Sequence, residues 1–438
     1  MTDRLRDVSG RDLGVPHAVE RPTTTDEVAA IVRRCRAERR AVVPFGARTA
    51  YWWPLRLDGA VALDTSGLQG VSVHGDLVEV GAGALVRPLD EALRARGLHL
   101  PFHPDAFGDT PVGALAASAA TSGVGMGQGP FSRWVAGLEV VTGAGEVLRT
   151  GAGGAWPGRA PLMRDGVPDV TGLMLGAEGT LGVITRLWLR VPPAPWRAHA
   201  RVIVEAERAI EMLEVGRGLV ARGVIDTWRS TLQSDHDPHD AWVTDVWVTS
   251  PAGEDEVIER AHGVAVALSA FGPAHVEVEG ADARAGEGPI YARRWGAPGD
   301  SHARFMAHAA LVGMDVNAAY DAAPGLLALA SEIVEEQLAQ PFVLATRRAL
   351  YLAPDFLNLG LHAAAALTPE AIAWSHGHVR RRLADLWRHE VLPYRPGRAW
   401  PPEVHAAVRP EVRALWQAIR RHLDPDGVMH PDHPLLPA

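Results

Sequence analysis

The sequence predicts an α+β fold, and three features predict it. Up to about residue 195, short strand-like and helix-like stretches alternate with many glycines. Pro192, Pro193 and Pro195 then interrupt the chain, since proline cannot continue a central strand. Beyond them, longer strands alternate with amphipathic helices, the pattern of one antiparallel sheet with helices on a face. At 438 residues and 47% hydrophobic content, the chain is long enough for two or three domains, with expected bounds of 18–195, 196–395 and 396–438.

Each element has its own signal. "PTTTDEVAAIVRRC" predicts a helix capped by Thr25, with Val28, Ile31, Val32 and Cys35 on one face. "AVVPF" and "GAVALDTSGL" predict short buried strands, and "GDLVEVGAGALVRPLDEALRARGLHLPF" a strand, a glycine turn, an amphipathic helix and a further strand. "VAGLEVVTGAGEVLRTG" predicts a hairpin turning at Gly143 to Gly145. In the middle stretch, "AHARVIVEAERAIEMLEVGRGLVARG" reads as strand then helix and "DAWVTDVWVTS" as a half-exposed strand. "RALYLAPDFLNLGLH" reads as one later strand before the helix "AIAWSHGHVRRRLADLWRHEV". The tail "EVRALWQAIRRHLDPDGVMHP" is a helix stopped at Pro425 and Gly427.

Composition removes several function classes. A net charge of -9, with every basic residue an Arg, provides no basic surface for nucleic acid. The single cysteine, Cys35, excludes an internal disulfide framework and a cysteine-based metal cluster. "MTDRLRDVSGRDLG" has no apolar core of a signal peptide, and no apolar run approaches the roughly 20 residues of a membrane span, so a cytoplasmic location is expected.

Three glycine-rich loops carry the chemistry. In "PFGARTAYWW", the backbone N–H groups of Gly46 to Ala50 can face an anion such as a pyrophosphate. In "DTPVGALAASAATSGVGMG", Gly113, Gly123, Gly125 and Gly127 allow close approach of a flat ligand, and the third loop, "GAEGTLGVIT", carries Gly176, Gly179 and Gly182 around an acid and a hydroxyl. Each loop alone also reads as an ordinary turn. Neither a Walker loop nor GxGxxG after a first strand is present.

Together and in this order, from "RPTTTDEVAAIV" through "VITRLWLRVPP" and again in "HLDPDGVMHP", these loops resemble the FAD-binding oxidoreductases of the vanillyl-alcohol oxidase and para-cresol methylhydroxylase superfamily. The resemblance implies a two-part FAD-binding domain, a cap domain built on the antiparallel sheet, and a tail returning to the first domain. Carried over residue by residue, Pro44, Phe45, Gly46, Ala47, Arg48, Thr49 and Ala50 form the pyrophosphate loop. Thr110, Gly113, Ser118, Gly123 and Gly125 line the nucleotide and ring, and Glu178, Gly179, Thr180 and Ile184 lie toward the ribityl-adenine side. Members that attach flavin through the first loop have a histidine there; Thr49 stands near that position, so FAD is expected to be non-covalent, with His302, His308 and His362 as the histidines of the middle stretch that bear on any other link.

Substrate signals divide. "PFGARTAY" and "VLPYRPG" resemble the phenol-oxidising branch and imply Tyr51, Tyr394 and Arg395 as catalytic residues around a phenolate. That branch's aspartate before the "GLEVV" strand is missing, with Ser132 and Arg133 in its place. The third loop resembles the hydroxy-acid branch, as in glycolate and D-lactate dehydrogenases, although the Gly-Asp-Gly-Asn-x-His metal motif of that branch is absent. The expectation is an FAD-dependent oxidase or dehydrogenase of a phenolic or aromatic alcohol, with a 2-hydroxy-acid enzyme or a non-redox flavoenzyme as alternatives. Its implied acceptor is O2, a quinone or a protein, and it leaves room for a homo-oligomer. Further candidates are a metal loop at His236, Asp237, His239 and Asp240, a carboxylate-binding Arg293 or Arg294, and an aromatic wall of Trp52, Trp53 and Trp295; their default readings are a polar loop tip, a surface ion pair and core.

Overall fold

The computed structural model describes residues 5–104, 110–121, 123, 125–233, 241–278 and 309–434. A parallel sheet of order β1-β3-β2 is formed by β1 (Ala18–Glu20), β2 (Val42–Phe45) and β3 (Val61–Asp64). An antiparallel sheet of order β4-β5-β8-β6-β7 comprises β4 (Val71–His74), β5 (Leu77–Gly81), β6 (Val135–Val141), β7 (Val147–Arg149) and β8 (Val183–Arg190). Residues 16–190 thus make two small sheets, and the helix Thr25–Ala37 buries Val28, Ile31, Val32 and Cys35 into their shared core with Leu63, Val80, Leu138 and Leu187. Thr24, not Thr25, is its cap: Thr24 Oγ1 accepts from Glu27 N, while Glu27 accepts from Thr23 N and Thr23 Oγ1. With Thr24 as the cap, the helix starts one residue earlier and Thr25 Oγ1 is released to donate to Glu139.

The third sheet has eight strands, all antiparallel: β9 (Trp196–Glu205), β10 (Thr227–Gln233), β11 (Ala241–Ser250), β12 (Ala274–Val278), β13 (Ala310–Ala318), β14 (Val343–Leu352), β15 (Leu357–Ala365) and β16 (Leu392–Pro393). Their order is β12-β9-β11-β10-β14-β15-β13-β16. Helices Ala209–Ala221, Glu254–Ser269, Ala323–Leu338 and Pro369–Trp387 share one apolar core with Val202, Trp228, Val246, Met314, Leu350 and Leu359. Since side chains alternate across a sheet, the intervening residues Asp315, Arg347, Tyr351 and His362 point to the other face, which is the one the site uses.

Three expectations change. "RALYLAPDFLNLGLH" is a hairpin of β14 and β15 rather than one strand, because Pro354 and Asp355 turn the chain. "AWVTDVWVTS" is nearly all buried, since β9 and β10 flank it and both faces are covered. "LHLPF" is no strand: Leu98 forms an isolated bridge with Pro193, and His99 N donates to Pro192 O. The tail, after the helix Pro410–Leu423, runs back beside β2: Val42 N donates to Val428 O (2.8 Å) and His430 N to Val42 O (2.9 Å).

Candidate active site

A cavity of about 520 Å³ lies between the glycine loops and the open face of β13, β14 and β15. Its first wall is the loop after β2, from Pro44 to Trp52, where Arg48 takes a left-handed φ of 57°. Among the described residues, no backbone N–H from Gly46 to Ala50 donates to another backbone carbonyl. The second wall contains Thr110, Gly113 and Ser118, and the third Glu178, Gly179 and Ile184. Gly179 has φ +78°, and a Cβ there would lie 2.5 Å from Pro44 Cγ. The glycine therefore lets the third loop pack onto the first.

The sheet supplies the reactive groups. His362 Nε2 lies 3.0 Å from Asp315 Oδ2, and the Tyr51 hydroxyl donates to the same oxygen. Two glycines inside strands make this cluster fit. A Cβ at Gly313 would fall 2.8 Å from Tyr51 Cδ2 and 2.9 Å from His362 Cδ2, and one at Gly360 would fall 2.5 Å from Asp315 Oδ1. Arg347 on β14 is the cross-strand partner of His362 on β15, and both residues line the cavity. With Asp315 accepting from Nε2, the His362 tautomer leaves a lone pair on Nδ1, the arrangement of a general base oriented by a carboxylate.

Behind the first loop, Trp52 Nε1 donates to Glu178 Oε1 (2.7 Å), and His433 Nε2 lies 2.7 Å from Glu178 Oε2. Burial pushes the Glu178 carboxyl up, but His433, Arg395 and Trp52 together hold it below the usual carboxylate range. Tyr394 lines the cavity with its ring edge-on to Trp52 (5.9 Å). Arg395 turns away from the cavity: its guanidinium donates to the carbonyls of Ala119 and Tyr394, and its Cζ lies 4.6 Å from the Tyr394 ring centroid.

The structure brings together Pro44 to Tyr51, Thr110, Gly113, Ser118, Glu178, Gly179, Ile184 and Tyr394 on one cavity. Gly123 and Gly125 are placed elsewhere: a Cβ on them would meet His103 O at 2.2 Å and Pro101 O at 1.9 Å, so they serve a backbone crossing. Thr180 is buried, donating to Ala177 O within its own loop. The candidates His236, Asp237, His239, Asp240, Arg293, Arg294, Trp295, His302 and His308 lie outside the described residues. Asp315 and Arg347 were not foreseen. The signal for Asp315 was the glycine inside each of "LVGMDVN" and "NLGLHAA", since glycine in a strand pattern marks a close approach; Arg347, on the glycine-free strand "VLATRRALYL", had none. Among the described residues, no group of three or more His, Cys, Asp and Glu could hold a metal.

Residues 16–151 match the family model described as an FAD binding domain. Over nearly the whole chain, the fold matches 4-ethylphenol oxidase from Gulosibacter chungangensis (TM-score 0.77, 16% identity, 96% of this chain and 89% of that one) and p-cresol methylhydroxylase (TM-score 0.76, 15% identity, 99% and 92%). Residues 16–151 thus carry an FAD-binding domain, and the chain as a whole has the fold of these two proteins. Curated relatives of the flavoprotein include the probable mitochondrial D-lactate dehydrogenase of Danio rerio, 32% identical over 206 residues. That match covers 44% of this chain and 39% of the relative. A D-2-hydroxyglutarate dehydrogenase of Xanthomonas citri is 32% identical over 196 residues (43% and 40%), and the glycolate oxidase subunit GlcD of Bacillus subtilis 28% over 192 residues (41% and 38%). The chain thus matches about two fifths of the length of these relatives. The site fits the cofactor: the first loop offers a run of unspent N–H groups for the pyrophosphate, and glycines bring the loops together around a cavity large enough to admit a ring system.

Proposed function

We propose that the flavoprotein dehydrogenates a small 2-hydroxy acid. The observation that carries this reading is the pairing of Arg347 with His362 across neighbouring strands, with Asp315 orienting the imidazole. A 2-hydroxy acid has a carboxylate one carbon from its hydroxyl, so a cation and a base at cross-strand distance match its two ends. Bound FAD supplies a two-electron acceptor for the hydride on the hydroxyl-bearing carbon. Arg347 would hold the substrate carboxylate, which a planar guanidinium does bidentately. His362 Nδ1 would take the hydroxyl proton as the carbonyl forms, and Asp315 would stabilise the resulting imidazolium. Tyr51, by donating to Asp315, holds that carboxylate in place. The product of this balance is a 2-oxo acid.

The same geometry disfavours a bound phenolate. Its oxygen would sit near Tyr51, whose hydroxyl is already committed to an anionic partner, and Arg395 faces backbone carbonyls instead of the cavity. The names of the curated relatives, which act on D-lactate, D-2-hydroxyglutarate and glycolate, support the hydroxy-acid reading. A phenolic substrate keeps one supporting observation, the presence of both Tyr51 and Tyr394 on the cavity wall. Anaerobic mixing separates the two: D-lactate, glycolate or D-2-hydroxyglutarate should bleach the flavin within seconds. Bleaching by 4-ethylphenol with none by any 2-hydroxy acid would overturn the proposal, and a flavin that no reductant-type substrate bleaches would point to the non-redox alternative.

A further inference from the structure

Glu178 is an unusual residue for its place. Its φ of 47° is left-handed, a conformation that costs a side-chain-bearing residue and that glycine takes freely at Gly176 and Gly179 on either side. Its carboxylate is nearly fully buried and both oxygens are used, one by the Trp52 indole and the other by the His433 imidazole. Its carbonyl lies 2.9 Å from His430 Nδ1, and the other nitrogen of that ring lies 3.0 Å from Pro54 O. His430 is itself left-handed, with φ 40°. One glutamate is therefore tied to the first loop and to the tail.

The indole that Glu178 holds touches both cavity tyrosines. Trp52 meets Tyr51 edge-on at 5.5 Å and Tyr394 at 5.9 Å, and those two rings line the cavity with it. Trp52 O accepts from Ala399 N, and Gly397 packs so tightly on that carbonyl that a Cβ would come within 1.9 Å of it. The backbone of Trp52 is thus fixed, and its side chain is aimed by a single polar contact.

We propose that Glu178, held from behind by His430 and His433, is the positioning residue that aims Trp52 and so fixes Tyr51 and Tyr394 around the cavity, making the C-terminal tail part of the site. Buried hydrogen bonds to a charged acceptor are directional, and a carboxylate fixed at both oxygens transmits an orientation that a singly bonded one does not. Trp52 and His433 meet through the two oxygens of Glu178.

The test uses the rate of FAD release from the diluted holoenzyme, read by recovery of free-flavin fluorescence, and it needs no substrate, so its failure is distinct from failure of the hydroxy-acid reading. Trp52→Phe, which keeps a ring and removes the N–H, and His433→Ala should each speed release by about fivefold. The double variant should be no faster than the faster single one, because both remove the same constraint. In a Glu178→Ala background, adding either should change nothing, and Glu178→Gln, whose amide oxygen still accepts from the indole, should restore slow release to within about twofold. A purely structural tail would give multiplied effects that track the loss in Tm. Should Glu178→Ala not fold, the Trp52→Phe and His433→Ala cycle alone decides: multiplied release rates, or a His433→Ala release rate equal to that of the parent, overturn the proposal.

Discussion

At the scale of residues, function concentrates in a few side chains on one sheet face. Replacing His362 by Gln keeps bulk and hydrogen bonding but removes the base, and should lower the rate of flavin reduction by about 10²–10⁴-fold with FAD content unchanged. A stopped-flow trace within threefold of the parent would remove His362 from the reaction. Arg347→Leu should act differently, raising KM far more than it lowers kcat, because a carboxylate anchor contributes to ground state and transition state alike. Gly313→Ala tests the packing argument: the added methyl must displace Tyr51 or His362. It should cut turnover at least tenfold while leaving FAD bound, and an unaffected rate would mean the Tyr51–Asp315–His362 cluster tolerates rearrangement. The loop glycines were legible from the sequence because turn chemistry is local. The pairing of Asp315 with His362 was not, because the two meet through β13 and β15, and only the register Gly313↔His362 places them together.

Elements show where local signals suffice and where tertiary context wins. Helix Thr25–Ala37, the hairpin at β6 and β7 and the helix-covered antiparallel sheet follow from periodicity and turn residues. The half-exposed reading of β11 fails because alternation in "AWVTDVWV" marks two buried faces of different polarity, with Asp245 held low by His199, Arg201 and Arg229 against the burial that raises it. The N-terminal segment had no sequence signal, yet it straps the site. Val8 N donates to Arg48 O, Val8 O accepts from Leu311 N, and Trp53 Nε1 donates to Ser9 Oγ, so one short stretch joins the first loop to β13. Asp7 anchors it by accepting from Ser9 N, Ser9 Oγ and Arg11 N, and burial pushes its carboxyl up to about 6. Since the folded state binds this proton more tightly than the unfolded chain, where the value is 3.8, stability from Asp7 is full below about pH 4 and is lost as pH rises through 6. Asp7→Asn keeps the acceptor and removes the titration. The variant should gain on the parent, by on the order of 3 kcal/mol, between pH 4 and pH 6, and no more above it. Parallel thermal melts across that range check this; a constant difference in Tm would show that Asp7 does not titrate there.

The whole molecule joins segments that are far apart in sequence: loops near residues 46, 113 and 179, the strands β13 to β15, and a tail that closes on the first loop from behind. Such an assembly needs no covalent bond to keep its cofactor, because walls from several elements enclose it. Two residues bear on the link. Thr49 lines the cavity where the resemblance would place an attaching histidine, and a threonine hydroxyl is a poor partner for that bond. His362, the described histidine on the cavity wall, spends Nε2 on Asp315 and needs the Nδ1 lone pair for its proposed proton transfer, so a bond to flavin there would remove the base. FAD is therefore expected to be held without a covalent link. Acid precipitation of the holoenzyme should leave a colourless pellet and a yellow supernatant. Colour kept in the pellet would refute this, and mapping the flavin-bearing peptide would then decide a second matter: attachment at His362 would also end its role as the base, whereas attachment at His302 or His308 would leave the Asp315–His362 pair and its chemistry intact.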